Sequence, residues 1–277
     1  MKTRNILIIV AVALFVIGGI MCGVVYASNG FDLRNLNTEE LVTRTYDVGE
    51  EFNSISIKVA TDDIVFEKST DSACHVICYE HEDDPANVRV ESGTLTIDRK
   101  SNKKFQLQVG INVASPKITV RLNKESYEKL FIKTDTGDVQ FGDIAFGDVD
   151  LSSDTGSFNM LNVEAANTNI KTDTGDIDLK EFSSENVTIA TDTGDLRLDA
   201  LTVEGTIKID TDTGDVKFNG CDAAEIYVKT DTGDVEGSFL SDKVFTTKTD
   251  TGDVRVPNTT SGGKCEIITT TGDINIK

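Results

Sequence analysis

Apolar and polar residues alternate along most of the chain, in register with a Thr-Gly pair that recurs every 19 or 20 residues. An internal repeat of fixed period indicates supersecondary units that stack on one another. The period is too short for repeats built from helix pairs, which take roughly 33–47 residues each. The eight repeat glycines are residues 137, 156, 175, 194, 214, 233, 252 and 272.

The residue types around each repeat glycine predict β-strands. Position −5 is aliphatic in seven of the eight copies, position +2 is apolar in all of them, and position +3 is polar in all of them. Position +4 is apolar in every copy except the one that carries Gly237. Alternation with a period of two is typical of a half-buried strand, and the β-branched residues with a glycine in every copy argue against a helix.

The phase of this alternation changes at the glycine, which predicts a corner there. The same parity predicts that the threonines at −3 and −1, Thr134 and Thr136 in the first copy, face inward. Coils stacked about 4.8 Å apart would form parallel ladders along a rod of roughly 38 Å, around a core of Ile, Val, Leu and Phe. The predicted fold class is all-β, a single-stranded β-solenoid (β-helix or β-roll-like) of 19–20-residue coils, preceded by one transmembrane helix.

The transmembrane prediction comes from 21 consecutive uncharged residues, Ile6 to Tyr26. At about 1.5 Å per residue this stretch is long enough to cross a hydrocarbon core of roughly 30 Å. Lys2 and Arg4 precede it, so the positive-inside rule predicts a single-pass protein of the cell membrane with a cytoplasmic N-terminus and the bulk of the chain outside. A cleaved signal peptide ending at Ala27 is the alternative, although its apolar core would be longer than usual.

The pattern divides the chain into four regions. Before the regular coils, Asp62 occupies the glycine place of a looser coil, and Gly93 fits that place in a second one over residues 88–97. The extended segment 118–122 matches no repeat position. The predicted regions are the cytoplasmic tip and anchor (1–26), an extracytoplasmic stalk (27–50), degenerate capping coils (51–130) and the regular repeat (131–277).

Charge and cysteine content narrow the function classes. The formal net charge of −20 disfavours nucleic acid as a partner, because a phosphate backbone requires neutralising Lys and Arg. Cys74 and Cys78 flank His75 in a segment with strand-like alternation, where the two cysteines would share one face and the histidine the other. They are therefore interpreted as small buried hydrophobic residues rather than as metal ligands.

The N-terminal apolar segment, the Ile-Thr-Val-Arg-Leu strand at 118–122 and the repeated Ile-Lys-Thr-Asp-Thr-Gly-Asp-Val motif resemble a bacterial domain family of predicted adhesins. This family is a domain of unknown function that includes LiaG-like proteins linked to cell-envelope stress operons. The resemblance covers roughly residues 50–277 and implies a β-solenoid on the outer side of the cytoplasmic membrane. It supplies no active-site residues to carry over.

Aspartate recurs on both sides of the repeat glycine and would form two outward ladders. Stacked carboxylates about 4.8 Å apart repel each other by roughly 0.9 kcal/mol in water, so some interaction must offset the charge. The favoured interpretation is turn chemistry, in which the carboxylates accept backbone N–H groups and lysines at −4 reduce the repulsion. Calcium bound by several carboxylates is the alternative. The aspartates lie at −2 (135, 154, 173, 192, 212, 231 and 250) and at +1 (138, 176, 195, 215, 234, 253 and 273).

The functional prediction is a non-enzymatic, membrane-anchored adhesin or scaffold of the bacterial envelope. Equivalent carboxylates do not provide the two distinct environments that a glycosidase needs, and no catalytic, cofactor-binding or metal-binding residues are assigned. The alternatives are an envelope-stress regulatory protein that binds a protein partner, and a calcium-binding surface rod. The expected partners are the cytoplasmic membrane, through the N-terminal helix, and an unidentified surface or envelope protein. End-on self-association is also predicted, at an unpaired edge formed by residues 273–277.

Overall fold

The computed structural model describes residues 15–28 apart from 22 and 25, residues 41–99 and residues 115–277. The chain divides into two compact units. The first consists of residues 1–40 and 102–115, and the second of residues 41–101 and 116–277.

The first unit contains the predicted membrane span over residues 6–26, of which 6–14, 22 and 25 lie outside the described residues. The described residues between 15 and 28 are helical. Among the described residues, no helix has both the length and the apolar character required to cross a bilayer.

The second unit is a β-solenoid whose described residues form 19 strands in one continuous sheet. The strands before the regular coils are β1 (Leu41–Val48), β2 (Ser54–Lys58), β3 (Asp63–Lys68), β4 (Cys74–His81), β5 (Asn87–Glu91), β6 (Thr94–Asp98) and β7 (Lys117–Leu122). The strands of the repeat are β8 (Ser126–Thr136), β9 (Val139–Thr155), β10 (Phe158–Thr174), β11 (Ile177–Thr193), β12 (Leu196–Asp199), β13 (Thr202–Thr213), β14 (Val216–Thr232), β15 (Val235–Phe239), β16 (Lys243–Thr251), β17 (Val254–Arg255), β18 (Gly263–Thr271) and β19 (Ile274–Ile276).

Neighbouring regular coils pair in parallel along three stretches. In the pair β10–β11, the paired stretches of β10 are residues 158–161, 163–165 and 167–172. The ladder is interrupted at Asn162, Ala166 and Asp173, where the chain changes direction. A 17-residue strand such as β10 therefore covers three sides of a coil. The predicted solenoid of about eight turns with coils of about 19 residues is confirmed.

The corner at the repeat glycine is confirmed, and close contact between backbones explains it. Gly175 has a φ of +155°, and a Cβ atom there would lie 2.1 Å from the carbonyl oxygen of Gly156 in the preceding coil. A side chain at that distance would overlap the carbonyl, so only glycine allows the coils to stack. Gly137 makes the same contact with the carbonyl oxygen of Asp62, which confirms that Asp62 occupies the glycine place of an earlier coil.

The two threonines before the glycine point in different directions. Thr172, at position −3, is buried as predicted, and its Oγ1 donates to the carbonyl oxygens of Gly156 (3.3 Å) and Thr174 (3.2 Å). Thr174, at position −1, is exposed, so the prediction that both threonines face inward is wrong. Asp173 has no paired residue in the neighbouring coil, whereas Thr172 and Thr174 do. The residue that breaks the alternation therefore lies before the glycine rather than at the glycine.

A second corner follows the glycine by six residues, and the alternation pattern did not reveal it. The residues at this corner adopt positive φ values of 51–61° although most of them are not glycine. They are Asp143, Asn162, Glu181, Ala200 and Gly220. Because these side chains differ widely, the corner leaves little trace in the sequence.

The C-terminal coils do not stack in chain order. β14 pairs with β18, and β18 pairs with β16 on its other side. In the same way, β19 lies between β15 and β17. The last coil in the sequence therefore lies between the two coils that precede it in the sequence. The prediction of an unpaired edge at residues 273–277 is wrong. The strands at this end of the stack are β16 and β17.

Side-chain polarity accounts for the exchange of the two coils. The last coil has Ile267 at position −5 and Ile274 at position +2, and both are fully buried. The preceding coil has Thr247 at −5 and leaves Val254 at +2 with 42% of its surface exposed. Placing the more apolar coil inside and the more polar one at the end buries more hydrophobic surface.

The opposite end is closed by strands outside the repeat. β2 pairs in parallel with β6 and β8, and β3 pairs in parallel with β7 and β9. β4 then runs antiparallel to β7, and β1 antiparallel to β4. The segment 118–122, unassigned from the sequence, is thus part of the strand β7 that continues the stack beyond β3.

Two predictions for this end are wrong. Residues 41–48 belong to the sheet as β1, so the second half of the predicted stalk is part of the fold, while residues 29–40 lie outside the described residues. Residues 88–97 belong to the antiparallel hairpin of β5 and β6, with Ser92 and Gly93 at positive φ in its turn, and not to a coil. The alternation of a hairpin strand is the same as that of a coil strand, so the sequence did not separate them.

A buried group of charges lies at this closed end. Glu80 is fully buried and accepts from Arg44 (3.0 Å), Arg99 (2.9 Å) and the backbone N–H of Ala86 (2.8 Å). Asp62 is also fully buried, with Arg99 Nη2 3.1 Å from its Oδ1. The approach lacks hydrogen-bond geometry, and both Asp62 oxygens have no hydrogen-bond partner in the described part of the chain.

Burial raises the pKa of Asp62 from 3.8 to about 6, partly opposed by Arg99. Between about pH 4 and pH 6 the folded protein therefore holds a proton on Asp62 that the unfolded chain has released. The stabilisation that this proton gives the folded state is lost as the pH rises through that range, so the free energy of unfolding falls. We expect Asp62→Asn to be more stable than wild type at pH 7.5, by on the order of 1–3 kcal/mol, with the difference vanishing near pH 4. Urea unfolding at several pH values, with Asp173→Asn as the single-charge control, measures it; a difference independent of pH contradicts this assignment.

The exchanged order of the last two coils predicts which pairs of introduced cysteines form disulfides. Tyr227 of β14 and Glu266 of β18 are direct partners, and Thr246 of β16 is the partner of Glu266 on its other side. Adjacent strands lie about 4.8 Å apart, which is within the reach of a disulfide. Strands two positions apart are too far from each other to form one. We expect Tyr227→Cys with Glu266→Cys to cross-link under mild oxidation, and Tyr227→Cys with Thr246→Cys to remain reduced. The reverse outcome on non-reducing gels would show that the coils stack in chain order.

Candidate functional site

The aspartates at position +1 form a row of hydrogen bonds between coils. In each coil the backbone N–H of this residue donates to the side chain of the equivalent residue in the neighbouring coil, over 2.7–3.3 Å. We call this row the corner ladder. In stacking order its residues are Asp63, Asp138, Ser157, Asp176, Asp195, Asp215, Asp234, Asp273 and Asp253.

The corner ladder confirms the turn-chemistry interpretation for this row. A hydrogen bond from an N–H group to a carboxylate contributes roughly 1.5–3 kcal/mol, which exceeds the roughly 0.9 kcal/mol of repulsion between neighbouring charges in water. One oxygen of each accepting carboxylate is therefore engaged by the neighbouring coil. The row primarily joins coils to one another.

The aspartates at position −2 form a second row, which we call the outer ladder. Its residues are Asp135, Asp154, Asp173, Asp192, Asp212, Asp231 and Asp250. All seven are exposed, and within the described residues no backbone N–H group donates to their carboxylates. Lysines reduce the repulsion locally: Lys229 lies 4.0 Å from Asp231, and Lys248 lies 3.1 Å from Asp250. The outer ladder therefore presents a carboxylate to solvent in seven of the eight coils, with Thr270 in the remaining one, and is the candidate binding surface.

The structure does not assemble a compact metal centre from these residues. Across the described ranges, no three or more His, Cys, Asp or Glu side chains lie close enough to hold one metal ion. The two ladders are periodic rows, and each carboxylate has its nearest equivalents one coil away. This arrangement suits extended contact with a polyvalent partner better than coordination of a single ion.

The cysteine segment is part of the core. Cys74 and Cys78 lie buried on one face of β4, as predicted, and burial raises the pKa of each thiol to about 12. His75 lies on the other face, where its ring nitrogens contact Asp47 (2.7 Å) and Asp71 (3.0 Å). These hydrogen bonds raise the pKa of His75 and join β1, β4 and the preceding loop at the surface.

The corner and outer ladders are expected to differ in their contribution to stability. Asp176 Oδ1 accepts the N–H of Asp195 at 2.9 Å, whereas Asp173 of the same coil accepts none. We expect Asp176→Ala to lower the free energy of unfolding by about 1–2 kcal/mol, because it leaves that N–H without its acceptor. Asp176→Asn keeps an acceptor oxygen and is expected to cost less than about 0.5 kcal/mol, as is the control Asp173→Ala. Urea unfolding measures all three, and equal effects of the two alanine variants would contradict the assignment.

Solved structures with the same fold come from bacteria. A predicted adhesin of Bacteroides fragilis superposes with a TM-score of 0.56 at 18% identity, over 87% of this chain and 98% of that one. A predicted lipid-binding protein of Parabacteroides distasonis covers the same shares at 14% identity, with a TM-score of 0.48. The first likeness shows a common fold. A search of curated protein sequences found no significant match.

The family comparison is more direct. The model of the Toastrack family, DUF4097, matches residues 52–210 and residues 205–277. The two matches together span the β-solenoid from the coil that contains Asp62 to the last strand, which is most of the chain. The resemblance to a known domain family is thereby confirmed, and the chain belongs to the Toastrack DUF4097 family.

Proposed function

We propose that this protein is a non-enzymatic, membrane-anchored β-solenoid of the bacterial cell surface that acts as an adhesin or scaffold. The outer ladder is the observation that carries the proposal. It offers seven exposed carboxylates, one in each of seven of the eight coils, on a backbone fixed by parallel ladders between the coils. A partner with several basic groups would gain affinity from many weak contacts at once. The name of the Bacteroides fragilis relative supports an adhesive role.

The proposed anchor is the uncharged segment 6–26 that follows Lys2 and Arg4. It places the N-terminus in the cytoplasm and the solenoid outside, with the cytoplasmic membrane as the first partner.

A non-enzymatic role is supported by the environments of the carboxylates. Glycosidases need one carboxyl group with a raised pKa beside another that stays ionised, both within reach of the substrate. Asp62 has a raised pKa but is fully buried beside Arg99. The exposed ladder carboxylates repeat in equivalent surroundings, so none is set apart for catalysis.

Two alternatives use the same surface. An envelope-stress regulatory protein would bind one protein partner rather than a general basic surface, and a calcium-rigidified rod would require divalent cations. The calcium-binding rod has less support, because within the described residues no three or more His, Cys, Asp or Glu side chains lie close enough to hold one ion.

The proposal is tested by adhesion of bacterial cells that display the full-length chain to surfaces coated with polylysine. We compare a variant with Asn at four outer-ladder positions (154, 173, 192 and 212) with one that has Asn at four corner-ladder positions (176, 195, 215 and 234). Both lose four charges. The first neutralises exposed carboxylates that lie outside the hydrogen bonds between coils, and the second neutralises carboxylates that accept N–H groups, of which Asp195 and Asp215 are partly buried. We expect about tenfold weaker adhesion for the outer-ladder variant and a smaller loss for the corner variant.

Three results distinguish the alternatives. Unchanged adhesion in both variants contradicts the proposal, and equal losses reduce it to an effect of net charge. Adhesion that disappears with EDTA and returns with calcium favours the calcium-binding rod. Surface display is verified by external protease digestion of the solenoid, with an N-terminal tag protected inside the cell.

A further inference from the structure

The strand at the far end of the stack is open along its length. β16 pairs with β18 on one side, and no described strand pairs with its other side. The same is true of β17, which pairs only with β19 among the described strands. A loop shields the start of this edge, where Thr259 Oγ1 donates to the carbonyl oxygen of Lys243. From residue 244 to residue 251 the edge is free to accept another strand.

Exposed hydrophobic side chains gather at the same end. Leu240, Val244 and Val254 are exposed by 69%, 39% and 42%. In the described part of the second unit only Tyr79 and Leu161 are comparable, and both lie elsewhere. Phe245 and Val256 are only partly buried against the core. The end of the stack therefore combines an open backbone edge with uncovered core side chains, which indicates an interaction surface.

The charge pattern of β16 is self-complementary. Lys248 and Asp250 lie on the same outward face of the strand, exposed by 68% and 58%, and no other charged residue lies between Val244 and Thr251. In an antiparallel pair with a two-fold axis at Thr249, Lys248 lies opposite Asp250 of the partner subunit. The same contact occurs twice in such a pair, as a closed two-fold interface requires.

The opposite end has open edges as well. Among the described strands, β1 pairs only with β4, and β5 pairs only with β6. β16 differs in that three exposed apolar side chains, Leu240, Val244 and Val254, lie at its end of the stack. Two identical β16 edges that meet about a two-fold axis form an association that closes without a filament.

We propose that two copies of this chain associate end to end through antiparallel pairing of β16, with Lys248 of each copy opposite Asp250 of the other. The contact extends the sheet across the two-fold axis over residues 247–251. It corrects the location of the self-association expected from the sequence, since residues 273–277 lie inside the stack. It uses Asp250, which belongs to the outer ladder, but it does not depend on an adhesive role.

The test is sedimentation of the full-length chain in density-matched detergent across a range of protein concentrations. We expect wild type to form a concentration-dependent dimer. Lys248→Asp and Asp250→Lys each place like charges opposite one another and are expected to raise the dimer Kd by at least about tenfold. The double variant restores opposite charges across the axis and is expected to recover dimerisation.

A second experiment tests the register. A protein with Lys248→Cys is mixed with a second protein that has Asp250→Cys, under mild oxidation. The disulfide between the two different proteins should form in larger amount than the disulfide that either protein forms with itself. A wild-type monomer at all concentrations, or filaments, would overturn the proposal. So would a dimer that both single variants leave intact, since that dimer would form through another part of the chain. Thermal melts of the four proteins identify any loss of folding.

Discussion

The solenoid depends on how closely two backbones approach at the glycine corner. In every regular coil a Cβ atom on this glycine would lie within 1.9–2.2 Å of a carbonyl oxygen in the neighbouring coil. No side chain fits in that space, so the corner fixes one residue type in each coil and allows the paired stretches on either side to stack. The surrounding Thr, Asp and aliphatic positions keep their register because this contact recurs.

The corner ladder explains how an acidic chain tolerates such regular stacking. Each carboxylate at +1 accepts an N–H group from the next coil, so the charge is used to join coils at the point where the backbone turns. The outer ladder has no such role and remains exposed. The two aspartates of each motif thus belong to different rows. The corner ladder joins the coils, and the outer ladder is the row available to a partner.

The two ends of the stack differ in how their outermost strands are paired and covered. At the N-terminal end, antiparallel strands outside the repeat and buried charges around Glu80 close the core. At the other end the chain places its most polar coil outermost, with Thr247 where other coils have an aliphatic residue, and leaves β16 unpaired on one side among the described strands. The two ends of the solenoid therefore differ, and the unpaired side of β16 underlies the proposed pairing of two copies.

The sequence by itself determined the repeat, the strand alternation, the glycine corner, the Asp62 coil and the positions of both aspartate rows. These features are local or periodic, and each copy reports the same side-chain requirement. It did not show that Thr174 faces outward while Thr172 faces inward, because a ladder interruption of one residue changes parity without changing composition. Nor did it separate the β5–β6 hairpin from a coil, because strands in either setting alternate alike. The order of the last two coils was decided only by tertiary structure, since both coils have the motif and only competition for burial places Ile267 inside and Thr247 at the end.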